Sequence, residues 1–403
     1  MIPELLTCGG RKRINSQKYT IMILKYIRKT LSIALVSIIF CGCSDWTEIE
    51  AINSNSNLSE TTKTDEYYAA LRAWKQTPNL PQVFVWFDNW SGASPTGANS
   101  LRGLPDSVTI ASNWGGHPKF NLTPERKADM EYVQKVKGTK VVVTLFSANV
   151  GDDVPHQDIF ETAGNSSDPE VVRPAIKAYA EALYDCIVEA GYDGFDWDYE
   201  PETGKDKNHL WNNITQRRIF VEELSYWFGK GSQRTDRGDR KPAKPGLLFL
   251  IDGEIGIGDH IEKDWPMYYV DYYVLQAYGA RNESSLDSRV NGVFNDMSKW
   301  IEEGKLTKEE IVRRTIVTED FESHASKGGG FLIMSNYVYK QQGIEQQIGG
   351  CGIYRVGFDY NQGDGDYNGS PEYYYLRQGI TNLYRTYHER LNISQEENSS
   401  EQE

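Results

Sequence analysis

The stretch Asp193-Gly194-Phe195-Asp196-Trp197-Asp198-Tyr199-Glu200 decides how this chain is read. It follows a long amphipathic helical pattern and alternates like a short strand. Phe195, Trp197 and Tyr199 share one face, and Asp196, Asp198 and Glu200 share the other. Neighbours on one face lie roughly 6–7 Å apart, two steps of about 3.3 Å each. In a parallel barrel the outer face is covered by helices and the inner face converges on the axis. Aromatics can then anchor such a strand while its acids meet at the carboxyl end. Carboxylates this close cannot all ionise cheaply, so at least one should keep its proton near neutrality. A carboxyl group protonated at neutral pH is what cleavage of a glycosidic bond requires.

Outward from this strand the chain alternates strand and helix patterns. The spacing predicts strands over 82–87, 107–111, 140–146, 194–199, 246–251, 270–277, 314–318 and 352–357. Helices are predicted over 65–76, 124–137, 169–190, 209–228, 284–303, 331–347 and 371–391, with the charged run 234–245 as a solvated loop at the bottom face. Eight strands with mostly alternating helices specify an α/β fold, the (β/α)8 or TIM barrel, whose chemistry sits at the carboxyl ends of the strands. At those ends lie Gln276 and Tyr278 after the sixth strand, and Ser147, Asn149 and Gly151 after the third. Asp88, Asn113, Trp114, Asp252, Glu254, Glu319 and Asp320 are further candidate sugar contacts, and Tyr354 lies on the eighth strand. Trp90 and Trp114 are each either a sugar platform or a packing residue.

Asp-Gly-x-Asp-x-Asp-x-Glu at the fourth strand of a barrel resembles the signature of glycoside hydrolase family 18, which includes chitinases and endo-β-N-acetylglucosaminidases. The resemblance covers most of residues 80–390. It implies substrate assistance, in which the sugar's 2-acetamido oxygen attacks its own anomeric carbon. Glu200 would be the general acid and then the base for water. Asp198 would hold the acetamido N–H and stabilise an oxazolinium intermediate, and Asp196 would share a proton with Asp198. Tyr278 would orient the acetamido oxygen. Gln276-x-Tyr278 and the Gly-x-Tyr of Gly352-Ile353-Tyr354 are similar to the endoglycosidase branch, where chitinases usually carry Met-x-Tyr-Asp and a tryptophan. Ser147-Ala148-Asn149-Val150-Gly151 is similar to the family's Ser-x-Gly-Gly segment, with Asn149 in place of the first glycine; Ser147 would support the acid network, and Ser147 and Asn149 are candidate substrate-binding residues. The interval between the seventh and eighth strands is too short for the subdomain that deepens the groove of many chitinases. The expected activity is endo-β-N-acetylglucosaminidase on the GlcNAc-β1,4-GlcNAc core of N-glycans. A chitinase, and a surface glycan-binding lipoprotein without turnover, are the alternatives.

With 403 residues the chain accommodates one large domain and its termini. A net charge of −14 argues against a nucleic-acid backbone as partner and leaves a neutral glycan unaffected. Aromatic residues make up 12% of the chain, compatible with stacking on sugar faces. Lys25, Arg28 and Lys29 precede an apolar run from Leu31 to Phe40 that is short for a membrane span, followed by Cys41-Gly42-Cys43. This resembles a bacterial lipoprotein signal over 1–43, of which 1–21 form an upstream extension, with Cys43 lipidated. A polar tether follows over 44–64, the hydrolase domain over 65–393, and a disordered acidic tail over 394–403. Envelope location through an outer-membrane anchor, possible surface exposure and a monomeric state are expected. Of the five cysteines, Cys186 and Cys351 remain in the domain and read as buried small residues, without a disulfide framework. Asp364-Gly365-Asp366-Tyr367-Asn368-Gly369 begins like a calcium loop, but Tyr375 stands where the closing glutamate belongs. No metal or cofactor is expected.

Overall fold

A computed structural model describes residues 63–94, 97–115, 119–146, 154–155, 166–200, 213–257, 261–361 and 372–400. Eight parallel strands close into a barrel: β1 (Gln82–Phe87), β2 (Ile110–Asn113), β3 (Lys140–Phe146), β4 (Gly194–Tyr199), β5 (Leu248–Gly253), β6 (Tyr272–Gln276), β7 (Thr315–Asp320) and β8 (Gly350–Tyr354). Each pairs with its sequence neighbours, and β1 pairs with β8 to close the ring. Around them run α1 (Asp65–Lys75), α2 (Pro124–Tyr132), α3 (Pro169–Ala190), α4 (Ile214–Leu224), α5 (Glu283–Asp296), α6 (Lys308–Arg314) and α7 (Tyr374–Ser400). The expected (β/α)8 barrel is the observed fold.

Local chemistry sets the helix ends. Thr64, Thr123, Asp168, Asn213 and Thr307 each cap a helix by accepting a backbone N–H from its first turn. Pro124 and Pro169 open their helices where the missing N–H costs nothing, and α3 stops at left-handed Gly191. Inside the barrel, Phe84, Trp86, Ile110, Val142, Leu250, Val274 and Ile316 form one apolar plug. Outside it, Trp197 stacks on Trp265 at 6.2 Å and meets Phe220 edge-on at 5.0 Å, while Phe195 packs on Phe228 and Phe249. The two faces read from the 193–200 alternation are therefore the two faces of β4.

Several boundaries differ from the sequence expectation. β2 and β5 begin later: Val108 closes a turn on the Pro105 carbonyl before the strand, and the Leu247 carbonyl accepts from Gly229 instead of from a neighbouring strand. β8 ends at Tyr354, where Arg355 takes a left-handed backbone with φ of 54°. The helix expected over 331–347 is a single turn, Phe331–Met334, followed by a hairpin pairing Val338–Tyr339 with Gln346–Gln347. Positive φ at Gln342 and Gly343 makes the hairpin turn. The helix expected over 284–303 breaks at Met297. Helix α6 lies outside the expected helices, although Thr307 and Glu310 have capping-box spacing. Helix α7 runs to Ser400, into the stretch expected to be disordered, since no glycine or proline interrupts 391–400. The loop 234–245 is pinned: Arg240 pairs with buried Glu223, and Arg237 donates to the Tyr226 and Ser232 carbonyls. Cys351 is buried as expected, and Cys186 only partly.

Trp90 is a packing residue. It is 2% exposed, and its indole donates to Asp129 at 2.8 Å. Asp129 also accepts from the Ser100 hydroxyl and the Leu101 and Arg102 amides, tying the β1–β2 connection to α2. Asp129→Ala strands these buried donors and should lower stability by about 3 kcal/mol. A urea midpoint within error of wild type would contradict this role.

Candidate active site

The β4 acids rise inside the barrel toward its carboxyl end. Asp193 begins the turn into the strand, accepting from the Val141 amide at 2.9 Å and from Gln134 at 2.8 Å. At Gly194 a Cβ would lie 2.4 Å from the Leu248 carbonyl oxygen, so only glycine permits this approach of β4 and β5. Asp196 is wholly buried beside Thr144 of β3. One of its oxygens accepts from the Trp86 indole at 3.1 Å and from Thr144 at 2.8 Å, and Ser112 hydrogen-bonds Thr144 in turn. Asp198 lies opposite Asp252 in the β4–β5 register, and the Trp114 indole hydrogen-bonds it. Glu200, just past the strand, is half-buried and accepts from Gln276 Nε2 at 2.7 Å.

Gln276 links the acids. The same amide nitrogen lies 3.3 Å from Asp252 Oδ1 and 3.5 Å from Asp198 Oδ1. Tyr278 stacks on Tyr354 with ring centres 6.0 Å apart, and Tyr354 meets Trp114 edge-on at 5.1 Å. These three aromatics and the acids share one mouth.

Burial dominates the electrostatics. It pushes Asp196 above the usual carboxylate range, despite hydrogen bonds from Asp252, Thr144 and Trp86. Burial and then the neighbouring Glu200 charge hold Asp198 well above that range. Burial and the charges of Asp196 and Asp198 do the same to Asp252. Tyr278 is held well above its ordinary value by burial and by the charges of Asp252, Asp198 and Glu200, so its hydroxyl stays a donor. The arrangement can present a neutral hydroxyl and a proton-holding acid cluster to one substrate atom group.

Other candidates fall elsewhere. Asn113 faces the helix side of β2, is 2% exposed, and donates to the Tyr192 hydroxyl at 2.5 Å, so it secures the barrel wall instead of contacting sugar. Glu319 is buried and accepts from the Gly279, Asp320 and Gly330 amides and from Arg281. Burial alone would raise its pKa, but these donors bring it below its ordinary value. A Cβ at Gly329 would lie 2.5 Å from its carboxylate, so Glu319 clamps two loops and is not a sugar contact. Asp88 is buried against Arg355 at 2.8 Å. Ser147, Asn149, the 364–369 motif and Cys43 lie outside the described residues. Sequence reasoning did not place Trp86, Ser112 and Thr144 in the site, although each has the inward parity of its strand. Among the described residues no His, Cys, Asp and Glu grouping is arranged to hold a metal ion.

A buried acid with a raised pKa keeps its proton where the unfolded chain has lost it. That contribution is complete below the unfolded value of about 3.9 and drains away as pH rises through the folded value. Stability should therefore fall as pH is raised from about 4 toward alkaline values. Asp252→Asn, which removes the acid that burial and the charges of Asp196 and Asp198 raise, should flatten that slope in urea titrations at several pH values. An unchanged slope would contradict a proton-holding cluster.

Residues 45–381 match the family model described as glycoside hydrolase family 18, BT1044-like. Among solved structures, selenomethionine BT1044 in a Glu-to-Gln variant is 26% identical, with TM-score 0.62, covering 84% of this chain and 98% of that one. The apo endo-beta-N-acetylglucosaminidase from Cordyceps militaris is 18% identical at TM-score 0.52, covering 80% of this chain and 97% of that one. A double variant of that enzyme in complex with fucosyl-N-acetylglucosamine-Asn is 16% identical at TM-score 0.51, covering the same shares. Both show likeness of fold. No curated protein matches.

Proposed function

The chain belongs to glycoside hydrolase family 18, and within that family we propose that it is a retaining endo-β-N-acetylglucosaminidase acting on the GlcNAc-β1,4-GlcNAc core of N-glycans. The observation that carries this reading is Gln276-x-Tyr278 at the end of β6. Its amide binds Glu200 directly, and its phenol lies in the field of Asp198, Asp252 and Glu200. The compact interval between β7 and β8, filled by short helical turns and a hairpin, supports it further. That interval adds no subdomain to the rim, which suits a branched glycan better than a deep linear groove.

In this mechanism the acetamido oxygen of the bound sugar attacks the anomeric carbon while Glu200 protonates the departing glycosidic oxygen. Gln276 occupies one Glu200 oxygen and leaves the other to carry that proton. Asp198 accepts the acetamido N–H and stabilises the oxazolinium charge, while Tyr278 donates to the acetamido oxygen and fixes its line of attack. Glu200 then takes a proton from water, which opens the ring with net retention. Ser147 and Asn149 are proposed to complete the sugar-binding rim beside Trp114 and Tyr354. The polypeptide is further proposed to be held at the outer membrane through lipidated Cys43, on the strength of the apolar run and the cysteine that follows it.

A glycoprotein panel digested and read by mass spectrometry should release glycans leaving one GlcNAc on asparagine. Release of nothing from glycoproteins with turnover of chito-oligosaccharides would move the assignment to chitinase. Glu200→Gln should lower turnover by ~10²–10⁴ while glycan binding survives. Near-wild-type hydrolysis would rule out Glu200 as the acid. Asp198→Asn should hydrolyse slowly yet transfer glycan from a preformed sugar oxazoline, whereas Tyr278→Phe should weaken both reactions. Equal loss of both reactions in Asp198→Asn would contradict the role given to Asp198. Cys43→Ala should leave the membrane fraction or retain its signal. Unaltered palmitate labelling would exclude Cys43 as the anchor.

A further inference from the structure

Asp252 is not part of the signature that marks β4, yet the barrel places it at the centre of the acids. It is 0% exposed, and the β4–β5 register sets it directly across from Asp198. Its carboxyl lies within hydrogen-bonding reach of both Asp196 and Asp198, and Gln276 Nε2 lies 3.3 Å from its Oδ1. Two buried oxygens in the cluster, Asp196 Oδ1 and Asp252 Oδ2, meet no N–H or hydroxyl donor. A buried carboxyl oxygen without a donor is costly as part of an anion, and the cost falls when one of the two carries a proton itself.

The donors are also unevenly divided. Asp196 receives the Trp86 indole and the Thr144 hydroxyl, and Asp198 receives the Trp114 indole. Asp252 receives one longer contact from an amide already committed to Glu200. A negative charge is therefore best supported on Asp196 and least supported on Asp252. The ordering of pKa causes agrees: after burial, every leading influence on Asp252 raises it, whereas those on Asp196 lower it.

We infer that Asp252 is a positioning acid of the catalytic cluster, a neutral carboxyl group whose one proton is shared between Asp196 and Asp198. The inference rests on the proposed hydrolase reading for its use and on the apo geometry for its existence. In the resting site the Asp252 proton lies toward Asp198 and holds its carboxylate in place. When Asp198 turns to the acetamido N–H, the Asp252–Asp198 hydrogen bond opens and the same proton is shared with Asp196 Oδ1. No proton is gained or lost, and Asp196 and Asp252 are not left as two facing anions.

The test uses full-length protein labelled with ¹³C at aspartate Cγ, without substrate, at pH 7.5. Carbon NMR should show a protonated buried aspartyl carboxyl in addition to that of Asp359, which burial raises to about 8. That additional signal should vanish in Asp252→Asn and survive in Asp198→Asn, where Asp252 still shares its proton with Asp196. Absence of the additional signal in wild type, or persistence of every protonated signal in Asp252→Asn, overturns the inference. If Asp252→Asn does not fold, wild type and Asp198→Asn decide, and loss of the signal in Asp198→Asn overturns it. On an N-glycan substrate, Asp252→Asn should lower kcat about 10- to 100-fold with KM within about twofold, the effect of one hydrogen bond to a charged group. An unchanged kcat alongside a lost signal would also overturn the positioning role. Failure of wild type to cut glycoproteins would instead strike the hydrolase reading and leave the NMR result standing.

Discussion

Three carboxyl groups facing one another in a water-poor barrel govern this structure. Asp196 and Asp198 are successive inward residues of β4, and Asp252 stands level with Asp198 on the adjacent β5. Separate burial of three anions would cost far more than the fold could supply, so the cluster exists only with protons held inside it. The strongest influences on these acids are burial, the charges of one another and of Glu200, and neutral donors. That choice of partner preserves the raised proton affinity, which a neighbouring arginine would abolish.

The rest of the barrel keeps that cluster rigid. Trp197 and Tyr199 lock the back of β4 against Trp265, and Gly194 lets β5 come close enough for Asp252 to reach across. Trp86 and Thr144 fix Asp196 from two further strands. Glu319 fastens the Gly279 amide, one residue beyond Tyr278, to the loop at Gly330. The substrate assistance proposed above would demand this rigidity, because the nucleophile would then belong to the sugar and the protein would contribute alignment and charge stabilisation.

The β4 motif was legible because period-two alternation in a barrel admits one assignment of faces. Aromatic residues want the helix side, and acids are tolerable only where they can meet one another. Gln276 and Tyr278 were legible for the same reason, as inward positions at a strand end. Asp252 was harder. Ending the fifth strand at residue 251 puts it in a loop, where an acid reads as a sugar contact, whereas the strand extends to Gly253 and points it at Asp198. The same slip of two residues on β2 makes Asn113 a loop residue, when it is the last strand position and faces outward. Strand identity follows from composition, but strand ends depend on pairing with neighbours that a local pattern does not contain. The 331–347 segment shows the other limit, since two left-handed residues converted an apolar, helix-like run into a hairpin.

The central claim is that the attacking nucleophile comes from the substrate and that the protein's acids only align it and exchange its protons. The most direct measurement compares two core-glycan substrates that differ at the scissile residue, one with its 2-acetamido group and one with a 2-hydroxyl in its place. The account predicts rapid cleavage of the first and none of the second at equal occupancy. Cleavage of both at comparable rates would place the nucleophile on a carboxylate of the protein and contradict it.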